Sequence, residues 1–200
     1  MQMYKVNPWD ERFAGDDFFY GTEPNDFLKE NLDRMGFVGR ALFPAEGEGR
    51  NAVYAAHLGW DVVAYDGSVE AKKKAGLLSE KKGVDISYFT AYHEDFQYDL
   101  EAFDLVALIF AHAPNRRQYH QKILKFLKSG ATILLEGFSK EQLDYKTGGP
   151  NSYELLFSEE ELRGDFESLR ELKIEKVLVD LNEGAHHRGI ASVIRMIGVK

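Results

Sequence analysis

From residue 40 onward, short apolar stretches alternate with stretches whose apolar residues recur every three or four positions. The first pattern is typical of strands and the second of amphipathic helices. Residues 9–35 are instead typical of short helices and turns, with one helix that begins after Pro24 and ends at Gly36. The pattern predicts strands over residues 40–43, 61–65, 86–91, 103–112, 131–138, 174–181 and 190–197, and helices over residues 51–58, 69–82, 116–128 and 158–164.

The alternation of strands and helices predicts an α/β fold with a doubly wound, mostly parallel sheet of seven strands. The run FDLVALIFAH is continuously apolar, as expected for a central strand that is buried on both faces. The last two strands are joined by NEGAHHRG, a loop short enough for an antiparallel hairpin. We expect one domain over residues 1–200, in which residues 1–36 form a helical cap.

Composition and charge narrow the class of function. The formal net charge is −8, and the basic run Lys72 to Lys74 is expected to be a solvated helix face, which argues against a nucleic-acid partner. The absence of cysteine excludes a disulfide framework, a thiol nucleophile and cysteine-ligated zinc, and we expect no metal site. The N-terminus lacks the pattern of a signal peptide, and no apolar run is long enough to cross a bilayer. These features predict a cytoplasmic protein without a membrane partner.

A glycine-rich turn, PAEGEGRNA, follows the first predicted strand. Residues 47–52 match the G-x-G-x-x-G/A fingerprint of dinucleotide-binding folds. Ligands of open α/β sheets bind at the carboxyl ends of the central strands, where this turn would lie. Asp66 ends the second predicted strand, about 20 residues further on, and can accept hydrogen bonds from two ribose hydroxyls. The spacing therefore predicts an adenosine cofactor, but does not by itself separate NAD from others.

The two acids of this turn, Glu46 and Glu48, favour a cofactor without phosphate. NAD would place a pyrophosphate at the helix N-terminus, where two carboxylates would repel it. S-adenosylmethionine (SAM) carries a sulfonium and an ammonium, which carboxylates attract. The charge pattern thus predicts SAM, although acids that are solvated or that suit the helix dipole remain an alternative.

In these residues the chain resembles class I SAM-dependent methyltransferases, and more closely their TehB-like, tellurite-resistance-type branch. A Rossmann-like seven-stranded sheet that closes with a hairpin is the layout of that class. The resemblance covers almost the whole chain, and its most specific segments are WDERFAGDDFFYGTEPNDFL and LFPAEGEGRNAVYAAHLGWDVVAYDGS. Further matching segments are FDLVALIFAHAP, LKSGATILLEGF, QLDYKTGGP and HRGIASVIRMIGVK.

The resemblance implies roles for individual residues. Gly47 and Gly49 would line the methionine part of SAM, Asp66 would hold the ribose, and Phe110 would help close the site. The chain departs from the usual pattern at Phe43, where an acid is more common. The implied cofactor-binding residues are Trp9, Arg12, Tyr20, Glu46, Gly47, Glu48, Gly49, Asp66, Gly67, Ser68, Tyr92, His93, Glu94 and Phe110.

Several of these residues have more than one interpretation. Tyr92 stands where an Asp often binds the adenine. Either Tyr92 stacks on or bonds to the adenine in a different way, or Glu94 makes the contact. Trp9, Phe19 and Tyr20 could form an aromatic wall against the sulfonium, or anchor a helix in the core. Arg12 could pair with the cofactor carboxylate or lie on the surface.

One histidine of the sequence is a candidate for the acceptor side of the site. His112 follows the central strand and is either a catalytic base or a residue that shapes the pocket. Of the adjacent histidines in the last loop, His187 matches the H-x-G pattern of the family better than His186.

The predicted reaction is in-line transfer of the SAM methyl group to a small molecule. The segment HAPN stands after the fourth strand in place of the D/N-P-P-Y/F motif of DNA adenine methylation. A thiolate or another soft acceptor would need no strong base. The alternatives are an NAD-linked oxidoreductase and a non-catalytic SAM- or adenosine-binding protein, and a homodimer is compatible with each.

Overall fold

The chain folds into one seven-stranded sheet with helices on both faces, in the order β3-β2-β1-β4-β5-β7-β6. The structure is a computed structural model, and it describes residues 7–200. Its strands are β1 Arg40–Pro44, β2 Asp61–Asp66, β3 Ser87–Thr90, β4 Phe103–Ile109, β5 Leu127–Phe138, β6 Glu171–Glu183 and β7 His187–Val199. Its helices are α1 Pro8–Phe13, α2 Asp26–Arg34, α3 Arg50–His57, α4 Val69–Lys82, α5 Arg116–Phe126 and α6 Glu159–Asp165.

The pairing of the strands confirms the predicted fold class. Strands β1 to β5 are joined by parallel ladders, whereas β7 runs antiparallel to both β5 and β6. Strand β1 lies between β2 and β4, so its carboxyl end is at the centre of the sheet. This is the seven-stranded arrangement of the class I methyltransferase fold.

The two faces of the sheet carry separate parts of the core. On β1, Leu42 packs with the residues under α5 and α6, while Ala41 and Phe43 pack with those under α2 and α3. The side chains alternate because successive residues of a strand point to opposite faces. Both faces are covered, as the continuous apolar run in β4 predicts.

The largest differences from the predicted boundaries concern the end of β4, the start of β5 and the length of the hairpin. Strand β4 ends at Ile109 rather than at residue 112, because Phe110 has a left-handed φ of 51°. Leu127 and Lys128 begin β5 instead of ending α5. The hairpin strands are longer than predicted, since the edge strand β6 exposes much of its length and carries polar residues there.

The N-terminal segment lies against the sheet's ligand-binding edge. Helix α1 contacts α4, and Asn7 donates a 2.9 Å hydrogen bond to the carbonyl of Gly67, next to the end of β2. The predicted cap of residues 1–36 includes residues 1–6, which lie outside the described residues. Within residues 7–200, no helix has both the length and the apolar character needed to cross a membrane.

Candidate functional site

The glycine turn between β1 and α3 depends on backbone conformations that favour glycine. Gly47 and Gly49 have φ angles of 64° and 90°. A Cβ atom on Gly49 would lie 2.7 Å from the Cβ and 2.9 Å from the Cα of Ala75 in α4, closer than packed atoms can approach. Glycine at this position therefore lets α3 and α4 pack directly against each other.

Asp66 is held beside this turn by two backbone donors. The N–H of Gly47 donates to its Oδ2 at 3.0 Å, and the N–H of Ser68 donates to its Oδ1 at 2.9 Å. Burial raises the pKa of Asp66. Each carboxylate oxygen has accepted one hydrogen bond and can accept another, as the two hydroxyls of a ribose require.

The residues that follow Asp66 continue the edge of the site. Ser68 is buried and caps α4 by accepting the N–H of Ala71 at 3.1 Å, and its hydroxyl donates to Asp10 at 2.5 Å. A Cβ atom on Gly67 would collide with the ring of Tyr92 at 2.6 Å. The ring of Tyr92 thus covers the β2–α4 turn.

Glu46 caps helix α3 from inside the turn. Its Oε1 accepts the backbone N–H groups of Asn51 and Ala52 at 2.8 Å and 2.7 Å. Burial raises the pKa of Glu46 to about 7, although these hydrogen bonds oppose the shift. This placement matches the alternative in which the acid suits the helix dipole.

Glu48 connects the glycine turn to the N-terminal segment. Its buried carboxylate accepts the N–H of Phe19 at 2.7 Å and that of Tyr20 at 3.4 Å through Oε2. Its Oε1 pairs with Lys74 at 2.8 Å. The expectation that Lys74 lies on a solvated face is wrong, because its ammonium is needed to balance this buried carboxylate.

The aromatic residues of the N-terminal segment form a connected layer over the turn. Phe13 is buried, and its ring lies 3.5 Å from the position of a Cβ on Gly47. Trp9 stacks on Phe13 at 5.6 Å, and the guanidinium of Arg12 lies 4.4 Å from the Trp9 ring centroid. This layer places Trp9 and Arg12 near the predicted methionine site, while Phe13, which the sequence did not single out, makes the closest contact.

Of the residues after β3, His93 packs away from the β2–α4 turn. Its Nδ1 is 3.2 Å from the hydroxyl of Tyr65, its ring stacks on Tyr119 at 3.9 Å, and burial lowers its pKa to about 4. The side chain of Glu94 is exposed. Its role at the adenine stays a prediction, and Tyr92 is the residue of this stretch that contacts the turn.

Both ring nitrogens of His112 are already hydrogen-bonded. Its Nδ1–H donates to the carbonyl of Leu155 at 2.7 Å, and its Nε2 accepts the N–H of Phe138 at 3.1 Å. Burial lowers the pKa of His112 to about 4. A general base needs a free nitrogen, so the geometry favours the interpretation that His112 shapes the pocket.

His187 has a different environment from His112. Its Nδ1 is 3.1 Å from Glu183 Oε2. Burial raises the pKa of Glu183. The nearby Arg50 guanidinium and hydrogen bonds from His187 and Asn25 outweigh this effect and lower the pKa to about 2. An ionised Glu183 requires Nδ1 to carry a hydrogen, so Nε2 holds the lone pair whenever the ring is neutral. Within residues 7–200, Nε2 has no hydrogen-bond partner.

The ring of His187 lies among aromatic residues from three parts of the chain. It is 4.4 Å from Tyr20 in the N-terminal segment, 5.1 Å from Phe110 after β4, and 5.2 Å from Phe138 at the end of β5. The left-handed backbone of Phe110 turns the chain at this point. His187 is thus positioned where the end of β4 meets the hairpin.

A cavity of about 330 Å³ opens beside this cluster. Arg50, which follows Gly49, and Glu136, whose carbonyl accepts the N–H of Phe110 at 2.7 Å, join it to the glycine turn and to the end of β4. Ion pairs cross its wall, from Arg195 to Glu136 at 2.5 Å and from Arg50 to Glu183 at 3.0 Å. The cavity is lined by residues 20–26, Arg50, Glu136, residues 179–184, Arg188 and Arg195.

The charged residues of this cavity are not among the site residues predicted from the sequence. A signal was present, since Glu136 and Arg195 each interrupt an apolar strand and form a directly opposed pair in the β5–β7 ladder. A charge inside a buried strand requires a partner. Pairing the two predicted strands would have brought these two residues together.

Comparison with known proteins agrees with the fold and the turn. Residues 44–135 match the family model of the methyltransferase domain. No curated protein sequence gives a significant match. A structure from work on the conversion of a disulfide bond into a thioacetal group during echinomycin biosynthesis aligns with a TM-score of 0.76 and 18% identity, over 96% of this chain and 88% of that chain.

Two further structures share the fold. TehB from Haemophilus influenzae aligns with a TM-score of 0.71 and 15% identity, over 96% of this chain and 65% of that chain. Phosphoethanolamine N-methyltransferase 2 from Haemonchus contortus, solved with SAM, aligns with a TM-score of 0.70 and 15% identity, over 96% of this chain and 56% of that chain.

The strand order is that of the class I methyltransferase fold, and residues 44–135 match a methyltransferase domain. This domain match supports SAM as the cofactor, in place of the NAD that the glycine fingerprint alone allowed.

Proposed function

We propose that this methyltransferase transfers the methyl group of SAM to a small molecule bound in the cavity beside His187. The observation that carries the proposal is the lining of this cavity by Arg50, which follows the glycine turn, and by Glu136, whose carbonyl bonds to Phe110 after β4. Its volume of about 330 Å³ suits a small molecule and lies at the lower end of ligand pockets. We further propose a TehB-like enzyme of a single domain, and the acidic, cysteine-free composition fits a cytoplasmic location.

The residues of the glycine turn and of β2 fit SAM. The left-handed Gly47 and Gly49 keep side chains away from the turn, and Asp66 offers two carboxylate oxygens with unused acceptor capacity. Bound SAM supplies a methyl carbon activated by its sulfonium. The aromatic layer of Trp9, Phe13 and Tyr20 would shield that cation from water and contact it with ring faces.

The chain's contribution to the chemistry is alignment and the handling of one proton. The charged wall of Arg50 and Arg195 orients the acceptor toward the turn, which lowers the entropic barrier to in-line displacement. The Nε2 lone pair of His187 accepts a hydrogen bond or a proton from the acceptor atom. Acceptors that are already anionic or soft nucleophiles at neutral pH need only the alignment.

Replacing Asp66 with Ala is expected to weaken SAM binding by roughly 1–3 kcal/mol, because charged hydrogen bonds to the ribose are lost. Calorimetric titration with SAM and with S-adenosylhomocysteine measures the loss. Asp61→Ala is the matched control, since Asp61 begins the same strand and pairs with Arg40 on the surface. Equal affinity of the Asp66 variant and the wild type would contradict the assignment.

An acceptor panel tests the proposed function itself. We expect S-adenosylhomocysteine to form when the enzyme is incubated with SAM and a small thiol, a small amine, or an oxyanion of selenium or tellurium. None should form with duplex DNA or a protein as the acceptor. Product is measured by liquid chromatography with mass detection. Methylation of DNA or of protein, with none of any small molecule, would refute the small-molecule assignment.

A further inference from the structure

Asn25 lies at the centre of the charged wall of the cavity. It is the N-cap of α2, where its Oδ1 accepts the N–H of Leu28 at 3.0 Å. Its side-chain amide Nδ2 donates to Glu136 Oε1 at 2.7 Å and to Glu183 Oε1 at 3.0 Å. Asn25 is buried, and its side chain has used its two N–H hydrogens.

The two carboxylates bridged by Asn25 hold Arg195, which lines the cavity, and His187, which lies next to it. Glu136 Oε2 accepts from Arg195 Nε at 2.5 Å. Glu183 Oε2 accepts from His187 Nδ1 at 3.1 Å and pairs with Arg50. A continuous chain of hydrogen bonds thus runs from Arg195 through Asn25 to His187.

The bridge also offsets the repulsion between two buried acids. Burial raises the pKa of Glu136, and the neighbouring charge of Glu183 raises it further, while Arg195 and the Asn25 amide lower it. The same amide helps to lower the pKa of Glu183. Without a shared donor between them, one of the two acids would take up a proton more readily and release its basic partner.

We propose that Asn25 is a positioning residue for methyl transfer, which fixes the orientation of Arg195 in the wall of the acceptor cavity and of His187 beside it. The inference rests on the proposed function, because it assumes that the acceptor binds in this cavity. The N-cap role explains only Oδ1, since Ser and Asp cap helices about as well as Asn does. An amide that donates twice is needed only for the pair of carboxylates.

Asn25→Ser and Asn25→Asp separate the two roles of this side chain. Both variants keep an N-cap oxygen and lose the Nδ2 donor, and the Asp variant adds a third carboxylate. We expect kcat to fall by about 10–100-fold in Asn25→Ser, because small displacements of aligned groups lower reaction rates by this factor. The fall should be larger in Asn25→Asp. The affinity for S-adenosylhomocysteine should stay close to that of the wild type, since the Asn25 side chain donates to no residue of the glycine turn, and the backbone N–H that donates to Asn51 at 2.9 Å remains in both variants.

The pH profile distinguishes positioning from loss of structure. In Asn25→Ser the acidic limb of kcat should move to higher pH, because Glu136 takes up its proton more readily without the amide. Asn31→Ser is the matched control, since Asn31 lies on the same helix and donates only to the carbonyl of Phe27. An unmoved limb, or a fall in kcat matched by a fall in cofactor affinity, would overturn the inference.

A readout without turnover keeps this test separate from that of the proposed function. The ¹⁵N shifts of the His187 ring report which nitrogen carries the hydrogen while the ring is neutral. We expect the Nδ1–H tautomer in the wild type and a mixture of tautomers in Asn25→Ser. If the wild type methylates no acceptor, the proposed function fails, whereas an unchanged His187 tautomer in the variant refutes the positioning role.

Discussion

Replacing His187 with Asn is expected to lower kcat by about 10²–10⁴-fold with an acceptor that must lose a proton, the usual range for general acid–base help. The amide of Asn can reproduce the Nδ1–H donor that pairs with Glu183, but it offers no counterpart of Nε2. The variant therefore removes the free nitrogen and keeps the hydrogen bond behind it. Steady-state turnover, measured beside calorimetric affinity for S-adenosylhomocysteine, should show a loss of rate at constant affinity.

The same change at His112 is the matched control. Its two ring nitrogens bond to the backbone of Leu155 and Phe138, so His112→Asn should lower rate and affinity together and only modestly. A large loss of rate at constant affinity in the His112 variant, with a near-normal His187 variant, would reverse the two assignments. With a thiolate acceptor, which needs no base, both variants should keep most of their turnover.

Replacing Gly49 with Ala is expected to lower the free energy of unfolding by about 2–5 kcal/mol, from overpacking and backbone strain together. The new methyl group would lie 2.7–2.9 Å from Ala75, in part against the backbone of α4, so no flexible side chain can move away. The residue would also keep a φ of 90°, which L-residues avoid. Separation of α3 from α4 would distort the glycine turn, and SAM affinity should fall as well. Urea denaturation and calorimetry measure the two effects.

Gly59→Ala separates strain from collision. Gly59 has a φ of 97°, and no atom lies within 4 Å of an added Cβ. This variant should therefore lose only about 1–2 kcal/mol, the cost of a left-handed L-residue, and should bind SAM normally. Equal destabilisation of the two variants would show that the close approach of the helices contributes nothing.

The fold could be predicted because its signals are local and repeated. The helix over residues 69–82 begins after the N-cap Ser68 and ends at Gly83 with a left-handed φ of 67°, as its sequence indicates. The end of β4 could not be predicted in this way. Phe110 carries no sequence signal for a left-handed backbone, which here follows from the tertiary contacts of the turn.

The site was predictable at the cofactor side and much less so at the acceptor side. The glycine turn and Asp66 lie close together along the chain and follow a known spacing. The wall of the acceptor cavity joins Asn25, Glu136 and Glu183, which are up to 158 residues apart. Which histidine has a free nitrogen depends on partners such as Leu155, which no local pattern reveals.

The position of Glu46 affects which nucleotides the turn can bind. The first N–H groups of a helix after a glycine turn are the donors that ATP, NAD and similar molecules use to bind phosphate. In this chain two of those donors, on Asn51 and Ala52, are already occupied by a carboxylate of the same loop. The Glu46 carboxylate therefore competes with phosphate for these two backbone donors. Selection against abundant phosphorylated nucleotides is built into the turn before any cofactor arrives.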